Sequence, residues 1–156
     1  MSSTTDNARK IIVTQALPYA NASLHLGHIL EAVQTDIWAR FQNKSGNECL
    51  FFCADDTHGT PVMLKAKELG KSPEDLIKEV QRDHEETYKL YDINFTNYHT
   101  THSDENKKYS EQIYLKAKEN DLITRRTINQ LYDESESMFL SDSCLLYTSD
   151  AADDGL

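Results

Sequence analysis

Residues 11–14 (IIVT) form a short unbroken run of mostly β-branched residues, the pattern of a strand buried on both faces of a parallel sheet. The stretch 15–24 that follows carries Pro18, Asn21 and Ser23, which mark a turn, and Ser23 or Asn21 is placed to cap a helix beginning near His25. From Ile29 to Phe41 the apolar residues Ile29, Leu30, Val33, Ile37, Trp38 and Phe41 recur every three or four positions against polar Glu31, Gln34, Asp36 and Arg40. That spacing predicts one helix laid on the sheet by this stripe. Ser45-Gly46-Asn47 ends it, and residues 49–54 (CLFFCA) are a second continuous apolar run of strand length.

Further on, Thr60-Pro61 opens a helix reaching about Leu69 with Gly70 as its stop, and Ser72-Pro73-Glu74-Asp75 starts another that runs to about Tyr91. Residues 105–119 also read as helix, while 93–101 and 122–132 are β-prone and read as strands. The acidic run Asp83–Glu86, His84 included, reads as a solvated helix face. Strand, helix, strand in this order predicts an α/β fold on a parallel sheet with helices on both faces.

Composition narrows the function classes. The chain of 156 residues is 38% apolar and 27% charged, ordinary for one globular domain. It holds no apolar run of about 18 residues, so no membrane partner is expected, and residues 1–9 lack the apolar core of a secretory signal and read as a tail. A cytoplasmic protein is expected. The formal charge of −10 argues against a broad basic surface for nucleic acid. Cys49, Cys53 and Cys144 show no paired spacing, so neither disulfide nor metal is expected of them. Residues 143–156 (SCLLYTSDAADDGL) contain no Lys or Arg and follow no period; CLLYTSDAAD resembles a translated sequencing adapter, and the segment is expected to be non-native.

Chemistry concentrates at the ends of the two apolar runs. The block Pro18-Tyr19-Ala20-Asn21-Ala22-Ser23-Leu24-His25-Leu26-Gly27-His28 sits between the first strand and the first helix. Open α/β sheets bind ligands beyond the carboxyl ends of their strands, and a helix N-terminus attracts anions such as phosphate. His25 and His28, three apart, share one face of that first turn and are placed to donate to phosphate oxygens, with Gly27 leaving room for a nucleotide. No third His, Cys or Glu at ligand spacing completes a metal site around them. Ala54-Asp55-Asp56-Thr57-His58-Gly59-Thr60-Pro61 follows the second strand, at the same sheet edge, where a carboxylate can hold a substrate ammonium group.

The eleven-residue block resembles the HIGH signature of class I aminoacyl-tRNA synthetases. Together with FFCADDTHGTP and RTINQLYDESESMFL, it resembles the methionyl-tRNA synthetase family more closely than the leucyl, isoleucyl, valyl or cysteinyl families, from about Lys10 to Asp142. The resemblance implies a Rossmann-like nucleotide-binding catalytic domain over 10–142, running into the start of a connective insertion. It implies an enzyme that activates methionine with ATP (as substrate, with Mg2+) and transfers it to tRNA(Met). By matching position, His25 and His28 would act on ATP in catalysis; Tyr19, Asn21 and Gly27 would help bind ATP; and Ala16, Leu17, Tyr19 and Asp56 would bind methionine. Ala22 stands where the family commonly has glycine. Nothing here resembles the family's Lys-Met-Ser-Lys-Ser loop, its zinc knuckles or its anticodon-binding domain, so a truncated catalytic domain is expected, with zinc only in the missing part, if at all. Another class I synthetase, another HIGH-motif nucleotidyltransferase, and a nucleotide-binding fragment without catalysis remain the alternatives.

Overall fold

A computed structural model describes residues 8–127, 129, 131–134, 138 and 139. The elements run β1 (Lys10–Thr14), α1 (Leu26–Lys44), β2 (Glu48–Asp55), α2 (Thr60–Glu68), α3 (Pro73–Leu90), β3 (Asn97–Thr100), α4 (Asp104–Glu119), β4 (Tyr132–Asp133) and β5 (Met138–Phe139). The chain divides into two compact units, Met1–Tyr109 and Ser110–Leu156. The first contains a parallel sheet in the order β1-β2-β3, and the second contains the two-residue antiparallel pair β4-β5. The expected tail over 143–156, with Cys144, lies outside the described residues.

Start and stop signals are where the local chemistry requires them. The Ser72 hydroxyl accepts from the Asp75 N–H and Pro73 occupies the first turn of α3. Gly46 and Gly70 take φ of 87° and 64° just beyond α1 and α2, a region that costs glycine little. The β-prone stretch 93–101 yields only the four residues of β3, which pair with Phe52–Asp55 of β2. Of the strand expected over 122–132, residues 122–127 are irregular and Tyr132 enters β4, while residues 128 and 130 lie outside the described residues. β-propensity describes how well a residue fits a paired surface, and among the described residues 122–127 join no strand pair.

The core forms on one face of the sheet. Cys49, Phe51, Cys53 and Asp55 of β2 are buried, alternating with the half-buried Leu50, Phe52 and Ala54. Phe51 meets Ile29, Ala32 and Ala39 of α1 and Tyr88 of α3 in one cluster, so both helices cover this face of the parallel α/β sheet. A second cluster joins Val62 and Ala66 of α2 to Leu76, Ile77 and Val80 of α3, and encloses Ala20 from the loop after β1.

Two expectations from the apolar pattern are corrected. β1 is not buried on both faces: Ile11 and Val13 are half-buried against the helix-covered face, whereas Ile12 points to the other face and is 71% exposed; among the described residues β1 pairs with β2 alone. The α1 stripe against the sheet is Ile29, Ala32, Asp36 and Ala39, whereas Leu30, Ile37, Trp38 and Phe41 are exposed. Two alanines let the helix approach the sheet closely. Asp36, read from the sequence as surface, is buried and accepts from the Arg40 Nε at 2.6 Å and from the Asn94 N–H at 3.1 Å.

The two faces of α1 and its sheet contact are separable by mutation. Phe51→Ala should cost about 3–5 kcal/mol in urea denaturation, the usual loss for a buried phenylalanine. Phe41→Ala should cost under about 0.5 kcal/mol, as for a surface position. Equal losses would contradict the assignment of the buried face.

Candidate functional site

The loop after β1 is laid along the carboxyl end of β2. The Ala20 N–H donates to the Asp56 carbonyl and the Asp56 N–H donates to the Pro18 carbonyl, each at 2.8 Å, forming an isolated parallel bridge between Tyr19 and Asp56. Ala20 is fully buried beneath α2 and α3, which anchors the loop from below. Burial, then the nearby Asp56 charge, raises the Tyr19 hydroxyl above its ordinary range, and that hydroxyl donates to the His58 carbonyl at 2.7 Å. Gly59 makes this approach possible. Its φ is 121°, and a Cβ there would stand 2.7 Å from the Tyr19 oxygen.

The two signature histidines begin α1 by capping it with each other, in place of the Ser23 or Asn21 cap expected from the sequence. His25 is the N-cap residue, and its Nδ1 accepts from the N–H groups of Gly27 (3.1 Å) and His28 (3.4 Å). The His28 Nδ1 accepts in return from the His25 N–H at 3.3 Å, which makes a reciprocal capping box from two imidazoles. Their rings stack with centroids 3.7 Å apart and planes 17° apart. A ring nitrogen that accepts an N–H carries no proton of its own, so both histidines are Nε2–H tautomers. Each is therefore a neutral donor with Nε2 left over for a ligand. Gly27, expected to make room for a nucleotide, makes room first for the His25 ring: a Cβ would lie 2.9 Å from the His25 Cε1.

Behind this turn lies a buried polar network that the sequence pattern missed. His84, expected on a solvated face, is fully buried, because it continues the inward stripe Leu76, Ile77, Val80 and Tyr88 of α3. That four-residue spacing was the available signal. The His84 Nδ1 lies 2.6 Å from the Asp55 Oδ1, and its Nε2 lies 2.8 Å from the Ala22 carbonyl, inside the signature block. Tyr98 donates to the same Asp55 oxygen at 2.6 Å. Glu31, one turn into α1, accepts from the Ala16 N–H at 2.7 Å, and the buried Gln15 donates to the Tyr88 hydroxyl at 3.2 Å. Cys53 is a free, buried thiol pushed up to about 12 by burial.

The expected site residues thus gather at one sheet edge: Ala16, Leu17, Tyr19 and Asn21 on the loop, His25, Gly27 and His28 at the helix start, and Asp56 at the end of β2. Leu17 is 42% exposed and Asp56 is half-buried beside Tyr19. Of the adjacent carboxylates, Asp55 turns inward to the network and Asp56 is the one the loop bridge brings to Tyr19. Among the described residues no group of three His, Cys, Asp or Glu is placed to hold a metal ion, and no helix is long and apolar enough to cross a membrane.

Comparison with known proteins places the chain in a family and a fold. The family model described as tRNA synthetases class I (M) matches residues 11–150. The methionine–tRNA ligase of Leptospira biflexa serovar Patoc, in each of two strains, is 59% identical over 135 residues, which cover 86% of this chain and 20% of the relative. The chain therefore spans about a fifth of the length of these curated relatives. Among solved structures, Mycobacterium tuberculosis methionyl-tRNA synthetase in complex with methionyl-adenylate superposes with a TM-score of 0.76 at 22% identity, covering 88% of this chain and 27% of that one. The LeuRS of Agrobacterium radiobacter K84, in a ternary complex with tRNA and LeuAMS, gives a TM-score of 0.75 at 21% identity over 88% of this chain and 18% of that one. At these identities the two structures establish the Rossmann-like α/β fold.

The histidines behind and within the turn should respond to pH in opposite senses. Burial, then the neighbouring His25 and His84, outweighs Glu31 and lowers His28 below 6.5. Its contribution to stability is present above the unfolded value and lost as pH falls through the lowered folded one. For His84, burial alone would lower the pKa, but the Asp55 hydrogen bond, the Ala22 carbonyl and the charges of Asp55 and Asp83 together raise it above 6.5. Its contribution is fully present below 6.5 and lost as pH rises through the raised value. Denaturation midpoints across this pH range should lose their acid dependence in His28→Ala and their alkaline dependence in His84→Gln. The reverse pattern would contradict the assigned protonation states.

Proposed function

The chain belongs to the class I (M) tRNA synthetase family, and from that premise we propose that it carries the methionine- and ATP-handling edge of a methionine–tRNA ligase. The observation that supports this reading best is the joint geometry of the Tyr19–Asp56 bridge and the two Nε2–H imidazoles at the start of α1. One offers an anion for an ammonium group beside an aromatic ring. The other offers two neutral donors at the positive end of a helix.

In the proposed reaction the methionine carboxylate attacks the α-phosphorus of ATP, pyrophosphate leaves, and methionyl-adenylate remains for transfer to the 3′-terminal adenosine of tRNA(Met). Asp56 holds the substrate ammonium, with Tyr19, Ala16 and Leu17 lining the methionine side. His25 and His28 direct Nε2–H toward the phosphate oxygens as charge builds on them, which stabilises the transition state without any protein nucleophile. Tyr19, Asn21 and Gly27 complete the ATP contacts. Mg2+ enters with the nucleotide as part of the substrate, and no step is routed through a metal held by these residues. A cytoplasmic location belongs to the same proposal, as does contact with tRNA through regions outside this segment.

The test is a graft in which the matched residues of this chain replace their counterparts in the Leptospira biflexa methionine–tRNA ligase. ATP–pyrophosphate exchange should depend on methionine; exchange driven instead by leucine, isoleucine, valine or cysteine, or no exchange at all, would overturn the reading. Asp56→Ala should weaken methionine binding by about 1.5–3 kcal/mol, the scale of a hydrogen bond to a charged group. His25→Ala and His28→Ala should each raise the adenylation barrier by about 2–4 kcal/mol with little change in ATP affinity. A loss confined to the ATP dissociation constant would make them ground-state binders and remove them from the chemical step.

A further inference from the structure

The signature turn needs more than its own caps to stay where it is. Between the buried Ala20 and the N-cap His25 lie Asn21, Ala22, Ser23 and Leu24; Ala22 and Ser23 are exposed, and Asn21 and Leu24 are half-buried. A hydrogen bond from a fully buried side chain restrains the middle of this span, where the His84 Nε2 meets the Ala22 carbonyl at 2.8 Å.

The chemistry of that contact is specific. A carbonyl only accepts, so Nε2 carries a proton; Nδ1 faces a carboxylate oxygen at 2.6 Å that also accepts from Tyr98, and it is satisfied as a second donor. His84 is thus an imidazolium clamped between Asp55 on β2 and the backbone of the turn. The Asp55 Oδ2 finds no partner among the described residues, so the carboxylate is committed to His84 and Tyr98 through one oxygen. Removing a buried charge's partner is costly, which makes the clamp stiff.

We propose that His84 is a positioning residue for the adenylation step: braced by Asp55, it holds the Ala22 carbonyl and so sets where the following turn presents the Nε2 atoms of His25 and His28. The inference rests on the adenylation reading for the reaction it serves. His84 touches no substrate. It acts through the two residues, Ser23 and Leu24, that separate Ala22 from the cap His25, and a small shift of the donors is magnified in rate, since a misplacement of about 1 Å costs on the order of 100-fold.

Two substitutions separate the halves of the clamp. A glutamine amide nitrogen occupies the position of the histidine Nε2, and an asparagine amide nitrogen that of Nδ1. In the graft described above, His84→Gln keeps a donor for Ala22 and gives up the one for Asp55, while His84→Asn does the reverse. If His84 positions the turn, His84→Asn should lower kcat for adenylation by about tenfold to 100-fold with little change in the KM for methionine. His84→Gln should recover most of that loss, even where both variants unfold at similar denaturant concentrations.

Hydrogen–deuterium exchange gives a readout independent of activity. Amides of residues 20–28 should exchange faster in His84→Asn than in the parent, and at nearly the parent rate in His84→Gln. Equal losses in the two variants, an asparagine variant with undiminished kcat, or a fall in kcat without faster exchange in that turn would each overturn the proposal. Should the parent graft activate no methionine, the adenylation reading fails, and the exchange comparison still decides whether His84 holds the turn.

Discussion

Two backbone hydrogen bonds decide where the rest of the site goes: Ala20 N–H to the Asp56 carbonyl, and Asp56 N–H to the Pro18 carbonyl. They extend the pairing of β1 and β2 beyond the last regular strand residue, so the chain leaving β1 cannot swing free before α1 begins. Tyr19 is thereby fixed opposite Asp56, and Ala20 is pressed under α2 and α3. Every later feature inherits this placement. The four residues from Asn21 to Leu24 have only a short distance to cover, and the histidine pair arrives at the same sheet edge as the aspartate. A parallel sheet favours this arrangement because all its strands deliver their carboxyl ends to one side.

The histidines then divide by charge state. His25 and His28 spend their Nδ1 lone pairs on the N–H groups of their own helix, which requires them to be neutral and leaves Nε2–H for a ligand. His84, held by a carboxylate and a carbonyl, requires the opposite. The positive charge behind the turn also helps keep His28 neutral. One imidazolium in the interior and two neutral imidazoles at the surface are thus parts of a single electrostatic arrangement, and the glycines serve it: Gly27 by admitting the His25 ring, Gly59 by admitting the Tyr19 hydroxyl.

Much of this was legible in the sequence. Helix starts at Thr60-Pro61 and Ser72-Pro73 and the stops at Gly46 and Gly70 follow from local chemistry, and local chemistry is what single residues encode well. The site residues could be gathered because they belong to two contiguous blocks placed after predicted strands. What failed depended on partners far away in the chain. The buried face of α1 is set by two small alanines and an aspartate, which an apolar count passes over, while Trp38 and Phe41 drew the count to the wrong side. Ile12 looked like core because nothing local says which face of β1 the helices cover. His84 stood in an acidic run, and its charged neighbours obscured a four-residue spacing that points straight into the core. Its partners, Asp55 and Ala22, are 29 and 62 residues away.

The role of this sheet edge is decided by which of its atoms meet an activated amino acid. The most direct measurement is a crystal structure of the graft with a sulfamoyl analogue of methionyl-adenylate. The expected result has the ammonium group on the Asp56 carboxylate, the sulfamoyl oxygens within hydrogen-bond reach of Nε2 on His25 or His28, and both Nδ1 atoms still accepting from the first turn of α1. An ammonium group held elsewhere, or histidines rotated so that Nδ1 faces the ligand and the helix cap is broken, would contradict it.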